Sequence, residues 1–209
     1  RFVCDNRHPL RWVVFDSGVL ERNPNLSGGQ TVMDLAEPGS ATPLFPLAPD
    51  TTAASYIPKL MQKPHAGSFT SCCGLCFFTG DALPRHRGSF FICEPAQNLV
   101  HCRSVTETKE ELTSRPSAVG REFLATPDQW FRPVFAANGP DGALYLCDMY
   151  RKYVDHPNYL PPEAAAGMDF AAGKKRGRIW KVTSRSEAKP ASWGQSKGVG
   201  LAISQALQA

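Results

Sequence analysis

Two short apolar runs, residues 133–137 and 143–149, stand either side of Asn138-Gly139-Pro140-Asp141-Gly142. Pro presets φ at a turn's first central position, Asp bonds back to its own backbone, and Gly supplies φ > 0. The stretch therefore predicts a β-hairpin. On its second strand, alternation puts Leu144, Leu146 and Asp148 on one face and Ala143, Tyr145 and Cys147 on the other. A carboxylate at the end of an apolar face is costly to bury without a partner. Asp148 thus needs an explanation, and so does Arg132 at the mouth of the preceding strand.

The same alternation predicts strands along the rest of the chain. Residues 1–6 and 10–15 form two, around His8-Pro9, and residues 30–35 a third after a polar loop. Residues 37–67 carry prolines every few positions with no sustained period, the mark of a long excursion. Strands at 68–78, 89–94, 98–105 and 119–124 follow, with the polar segment 106–116 read as a surface loop. After the hairpin comes a second excursion, residues 150–175, holding His156-Pro157, Pro161-Pro162 and a short helix around 163–166. Residues 178–183 are a last strand, with Ile179 and Lys181 on one face and Trp180 and Val182 on the other. The strands fall into groups of three, four and three, an all-β class in which a sandwich, a barrel and propeller blades all fit. In the blade reading the middle group is one whole four-stranded antiparallel blade, giving about two and a half blades in all. Residues 1–184 would form the domain, and 185–209 a Ser-, Lys- and Gly-rich tail that is either a short helix or disordered.

Composition narrows this picture modestly. A hydrophobic content of 42% with 20% charged residues belongs to ordinary globular proteins, and 18 prolines with 17 glycines favour many turns over long helices. The net charge is +4, and Lys and Arg are scattered apart from Lys174-Lys175-Arg176-Gly177-Arg178, so no nucleic-acid footprint is expected. Arg1 opens directly inside a strand-like run, which reads as a segment of a longer protein. Of the seven cysteines, Cys73 and Cys76 have CxxC spacing, but Phe77 follows where haem attachment needs His, and no second CxxC completes a zinc site. The others lie in apolar runs and read as buried free thiols. No nucleotide-binding glycine motif or serine elbow occurs.

Four runs taken together carry a resemblance: RFVCDNRHPLRWVVF, FTSCCGLCFFTGDALPRHRGSFFICEPAQNLVH, GREFLATPDQWFRPVFAANGPDGALYLCDMYRKYVDHPNYLP and MDFAAGKKRGRIWKV. They resemble the β-propeller module of large planctomycete and verrucomicrobial proteins named as membrane-bound dehydrogenases, which are similar to quinoprotein sugar and sorbosone dehydrogenases. The resemblance covers about residues 1 to 183. It implies the C-terminal half of a propeller and a periplasmic or cell-envelope location. It implies as partners the remaining blades and downstream helical-repeat and cytochrome c modules, with carbohydrate as the ligand class. Pyrroloquinoline quinone and calcium are the cofactors it would bring; haem is not carried over, because this chain lacks the attachment motif.

In such a propeller Arg132 would sit at the channel mouth, either as a fixed cation for a carboxylate, phosphate or quinone oxygen or as a structural partner of Asp148. Asp148 and Arg151 lead toward His156, which would act as a general base taking a hydroxyl proton as hydride leaves for a quinone; the bland reading is a loop histidine. Arg176, with Arg178, would clamp an anion or simply form a solvated loop tip. Trp130 would wall a sugar cleft or pack between blades, and Asn138 belongs to the same binding set. Two functions from different classes follow: a quinoprotein-like sugar or polyol dehydrogenase, and a non-catalytic propeller binding carbohydrate or a partner protein.

Overall fold

The computed structural model describes residues 2–14, 17–25, 32–48, 67–109, 112–154, 157–160 and 162–184. His156 and the tail 185–209 lie outside them. Among the described residues the chain is mostly sheet, with almost no helix. The first sheet holds β1 (Phe2–Val3), β2 (Arg11–Val13) and β3 (Val32–Asp34), in that spatial order. The second runs β4 (Cys73–Phe77), β5 (Ser89–Glu94), β6 (Leu99–Glu107) and β7 (Leu112–Pro116), with a two-residue β8 (Leu124–Ala125) also pairing with β6. The third holds β9 (Pro133–Asn138), β10 (Leu144–Asp148) and β11 (Arg178–Val182). Every recorded strand pairing is antiparallel. Among the described residues the α-helices are α1 (Ser17–Arg22) and α2 (Pro162–Ala165), and no helix there is long and apolar enough to cross a membrane.

The three sheets stack face to face, and β5 shows why. All six of its residues are buried. Phe91 and Cys93 point into a cluster with Ala136, Leu144 and Leu146 of the third sheet. Phe90 packs with Leu10 and Leu35, and Ile92 with Leu44 and Phe69, on the side of the first sheet. A strand covered on both faces needs a continuous apolar run rather than an alternating one, and Phe90-Phe91-Ile92-Cys93 supplies it. Each fully buried Phe or Ile contributes about 1.5–3 kcal/mol of transfer free energy.

The hairpin follows its sequence pattern: Leu144, Leu146 and Asp148 are buried, with Tyr145 and Cys147 partly exposed on the other face. β11 likewise exposes Ile179 and Lys181 and half-buries Trp180 and Val182. The middle sheet corrects the expected strand list. Its fourth strand is β7, inside the segment read as a surface loop, whereas Val119 is 98% exposed and only Leu124 of the expected strand, with Ala125 just beyond it, pairs with β6. β7 is an edge strand of sequence LTSRP with alternate residues exposed, so its pairing with β6 leaves little apolar signal in the sequence. The six-residue α1 is too short for its periodicity to register.

Backbone geometry brings β4 against β9. The register of β4 on β5 slips by one residue between Cys73 and Cys76, a bulge with Gly74 at φ +59°. This explains the CxxC spacing, because one extra residue returns Cys73 and Cys76 to the same face, where both meet the core beside the third sheet. A Cβ on Gly74 would lie 2.7 Å from Phe135 Cα and 2.7 Å from the Val134 carbonyl oxygen. Gly74→Ala is therefore expected to cost more than Gly120→Ala, which shares a positive φ of 73° but has open space around it. The left-handed backbone alone costs about 1 kcal/mol, and strain at Gly74 should bring the total to about 2–3 kcal/mol. Urea denaturation of both variants measures the difference.

Candidate functional site

Asp148 sits where β10 leaves its ladder. A register shift falls between Cys147 and Asp148, leaving Asp148 opposite Pro133, which has no N–H to give. Beside this break the carboxylate accepts from backbone N–H groups on either side of it. Oδ1 accepts from the backbone N–H of Arg132 at 2.8 Å and of Tyr150 at 2.8 Å. Oδ2 accepts from Arg178 Nε and from the Trp180 indole N–H, each at 3.1 Å. With the residue 2% exposed, four donors offset the desolvation that makes a buried carboxylate costly. These contacts tie the start of β9, the end of β10 and the start of β11 into one knot.

The side chain of Arg132 takes a different route. Its guanidinium is buried and donates to carbonyls: Nε to Arg151 at 3.0 Å, Nη1 to Pro95 at 2.7 Å, and Nη2 to Lys152 at 2.8 Å. It thereby clamps the turn after β5 to the segment after β10. An incoming anion would have to displace these carbonyls, so the geometry favours the structural reading, although it is the Arg132 backbone rather than its guanidinium that meets the Asp148 carboxylate in the recorded bonds. Arg151 turns its Nη2 to the Phe170 carbonyl at 3.1 Å. Asn138, at the far end of β9, bridges the second and third sheets, donating to the Phe77 carbonyl and accepting from the Thr79 N–H, both at 2.8 Å. Arg176 is exposed on the turn before β11. The structure thus brings Asp148, Arg132, Arg151 and Trp130 to one end of the third sheet and leaves Asn138 at the other.

The residue that the sequence reading underweighted is Arg178. Its guanidinium carbon lies 3.5 Å from the Tyr150 ring centroid and 4.8 Å from that of Trp180, with Trp130 stacked 5.7 Å from Tyr150. Asp148 holds its Nε, Asp128 approaches an outer nitrogen at 3.9 Å, and the side chain remains 38% exposed. Tyr150 is one of two non-glycine residues with positive φ, at 47°, among the described residues. Strain of that kind persists where the surroundings over-determine it, and here the Asp148 bond to its N–H does so. Pairing of Asp148 with Arg178 across β10 and β11 fixes the arrangement. Once β11 is taken as a strand, that register is the signal that could have found it.

The family model for a domain of unknown function, DUF7133, matches residues 1–186. The chain belongs to the DUF7133 family. No curated protein and no solved structure matches it.

A second set of buried polar groups in this DUF7133 domain lies between the first and second sheets. His101 Nδ1 meets Glu122 Oε2 at 2.7 Å with both side chains almost wholly buried, and His101 Nε2 has no hydrogen-bond partner. Arg103 donates to Glu37 at 3.0 Å and to the Ser114 hydroxyl at 2.8 Å. Desolvation pushes Arg103 down, while the exposed Glu37 is held low by its own backbone N–H and by Arg103. His101 is thus the packed strand residue that its position in an apolar run implied. Glu94, fully buried at the end of β5, accepts from the Thr70 hydroxyl and from the N–H groups of Thr70 and Ser71 at 2.9–3.1 Å. Burial outweighs these donors and pushes its carboxyl up to about 7. Among the described residues no three His, Cys, Asp or Glu side chains are grouped to hold a metal ion. Asp148, whose oxygens already take four N–H donors, does not fit calcium.

Asp148→Ala would strand two backbone N–H groups and unpair Arg178; a loss of about 3–5 kcal/mol is expected, read by urea denaturation, with Arg178 detached from Tyr150. Glu94 predicts a pH effect of the opposite kind. Its folded pKa lies above the ordinary carboxyl value of 4.5, so between pH 4.5 and about 7 the folded state holds a proton that the unfolded chain releases. Its contribution to stability therefore falls as pH rises through that window, by on the order of 3 kcal/mol. Glu94→Gln should flatten this part of the stability profile, while lowering stability at pH 4.5 through the lost acceptor.

Proposed function

We propose that the three stacked sheets are consecutive blades of a β-propeller and that the Arg178 end of the third blade binds carbohydrate. The contact that supports the radial reading is between β4 and β9, each the first strand of its sheet, which touch through Gly74 on Val134 and Phe135. A blade's first strand lines the common channel, so neighbouring first strands are the ones that should converge. Two facing layers would leave the middle sheet with one solvated face, whereas its central strand β5 is covered on both faces.

The observation that carries the binding reading is the half-exposed guanidinium of Arg178, held on Tyr150 beside Trp180 and anchored by a buried carboxylate. Sugars offer hydroxyl edges to such a donor and C–H faces to the aromatic walls, and the anchoring limits the rotamer entropy lost on binding. Partly buried Trp130 extends the wall. Catalysis at Asp148 is less well supported, because a general base needs a lone pair free to take a proton, and its oxygens are engaged by four donors. In this reading the propeller presents bound carbohydrate to the modules that the resemblance places downstream, in the periplasm or at the cell envelope.

Titration calorimetry of the full-length protein against a sugar panel tests it. Binding is expected, and Arg178→Lys, which keeps the charge but loses the planar fork, should weaken it about tenfold, or roughly 1.4 kcal/mol. Dye reduction with added quinone and calcium on any of these sugars, without measurable sugar binding at the Arg178 site, would overturn it in favour of the dehydrogenase.

A further inference from the structure

Cys4 follows β1 and Cys72 precedes β4, so they belong to different sheets. Asn6 clasps the two segments together. Its Nδ2 donates to the Thr70 carbonyl at 2.7 Å, and its Oδ1 accepts from the Cys72 N–H at 2.7 Å. Both cysteines pack against the same apolar cluster of Leu44, Phe69, Ile92 and Leu99. The two thiols are close enough to perturb one another, and interaction with Cys72 and with the Leu75 backbone lowers Cys4. Each is partly exposed, and neither is bonded to another sulfur.

We propose that Cys4 and Cys72 are a disulfide-forming pair, closed by exchange with an external disulfide and joining the first sheet to the second. The two thiols have different roles. The Cys72 thiol and the Leu75 backbone lower Cys4, while interaction with Cys4 and burial raise Cys72. Cys4 is then the attacking thiolate and Cys72 the resolving thiol. Cys4 attacks one sulfur of the external disulfide and forms a mixed disulfide, expelling one thiolate, which takes up a proton. Cys72 gives up its proton and attacks the Cys4 sulfur, forming the Cys4–Cys72 bond and expelling the second thiol. Two protein S–H bonds are replaced by one S–S bond, and the external disulfide is reduced to two thiols.

The competing pair is Cys73 and Cys93, which stand opposite one another across β4 and β5. Those thiols face the third sheet, where burial pushes Cys73 up to about 12 and Cys93 further still, and the Glu94 charge adds to the effect on Cys73. Neither is lowered by a neighbour as Cys4 is, so little thiolate forms to begin exchange.

Incubating the full chain with oxidised glutathione, blocking free thiols at low pH and digesting with trypsin tests the pair. Mass spectrometry is expected to find peptide 2–7, which carries Cys4, cross-linked to peptide 60–85, which carries Cys72, Cys73 and Cys76. The cross-link should survive Cys73→Ser and disappear in Cys72→Ser. In the wild-type chain its formation should raise Tm by about 5 °C or more, reversibly with dithiothreitol. Persistence of the cross-link in Cys72→Ser, a Cys73–Cys93 bond in its place, or complete alkylation of Cys4 after oxidation would overturn the proposal.

Discussion

The constraint on which the structure depends is that the centre of its middle sheet, β5 and the first half of β6, has no face left for water. β5 is buried throughout, and the first five residues of β6 are buried as well. Any polar side chain in these strands must find its partners inside the protein. Glu94 takes the N–H groups of the chain entering β4, His101 takes Glu122, and Arg103 takes Glu37 and Ser114. All of these bonds except Arg103 to Ser114 on the neighbouring strand join a core strand to a segment distant in sequence. The polar groups thus fix how loops and neighbouring sheets dock, and apolar burial supplies most of the driving force.

The third sheet resolves a similar problem at its end. There the ladder of β10 on β9 breaks beside a proline, and the Asp148 carboxylate accepts from the backbone N–H of Arg132 next to the break. The same carboxylate fixes Tyr150 in a left-handed conformation and anchors Arg178 across the sheet. A half-exposed cation on an aromatic platform is thus a by-product of finishing a strand correctly. The structural role and the proposed binding role coincide here because one buried charge needs several donors, and one of those donors reaches the surface.

How much of this was legible depends on the distance over which each feature is set. The hairpin of residues 133–148 could be read directly, because its turn chemistry and its alternation are both local. The burial of Asp148 followed from the same alternation, as did the two faces of β11. β7 was missed because an edge strand with polar residues on its open side looks like a loop until its partner is known. Arg132 was a candidate for either a channel-mouth cation or a structural partner of Asp148, and the structure buries its guanidinium among carbonyls while Arg178 reaches the surface. Both are arginines flanking a strand, and one sequence offers no local cue to which of them meets solvent.

By itself, then, the sequence determined the periodicities: most of the strand segments, where the principal turn falls, and which face of the hairpin turns inward. These follow from φ/ψ preferences and side-chain alternation, which act over a few residues. Tertiary structure alone decided the partners. The bulge at Gly74 that lets two sheets touch, the four donors on Asp148, the aromatic seat of Arg178 and the meeting of Cys4 with Cys72 all join residues brought together by packing. Such contacts depend on long-range register, which is set by how buried faces fit one another and is written in no short window of the chain.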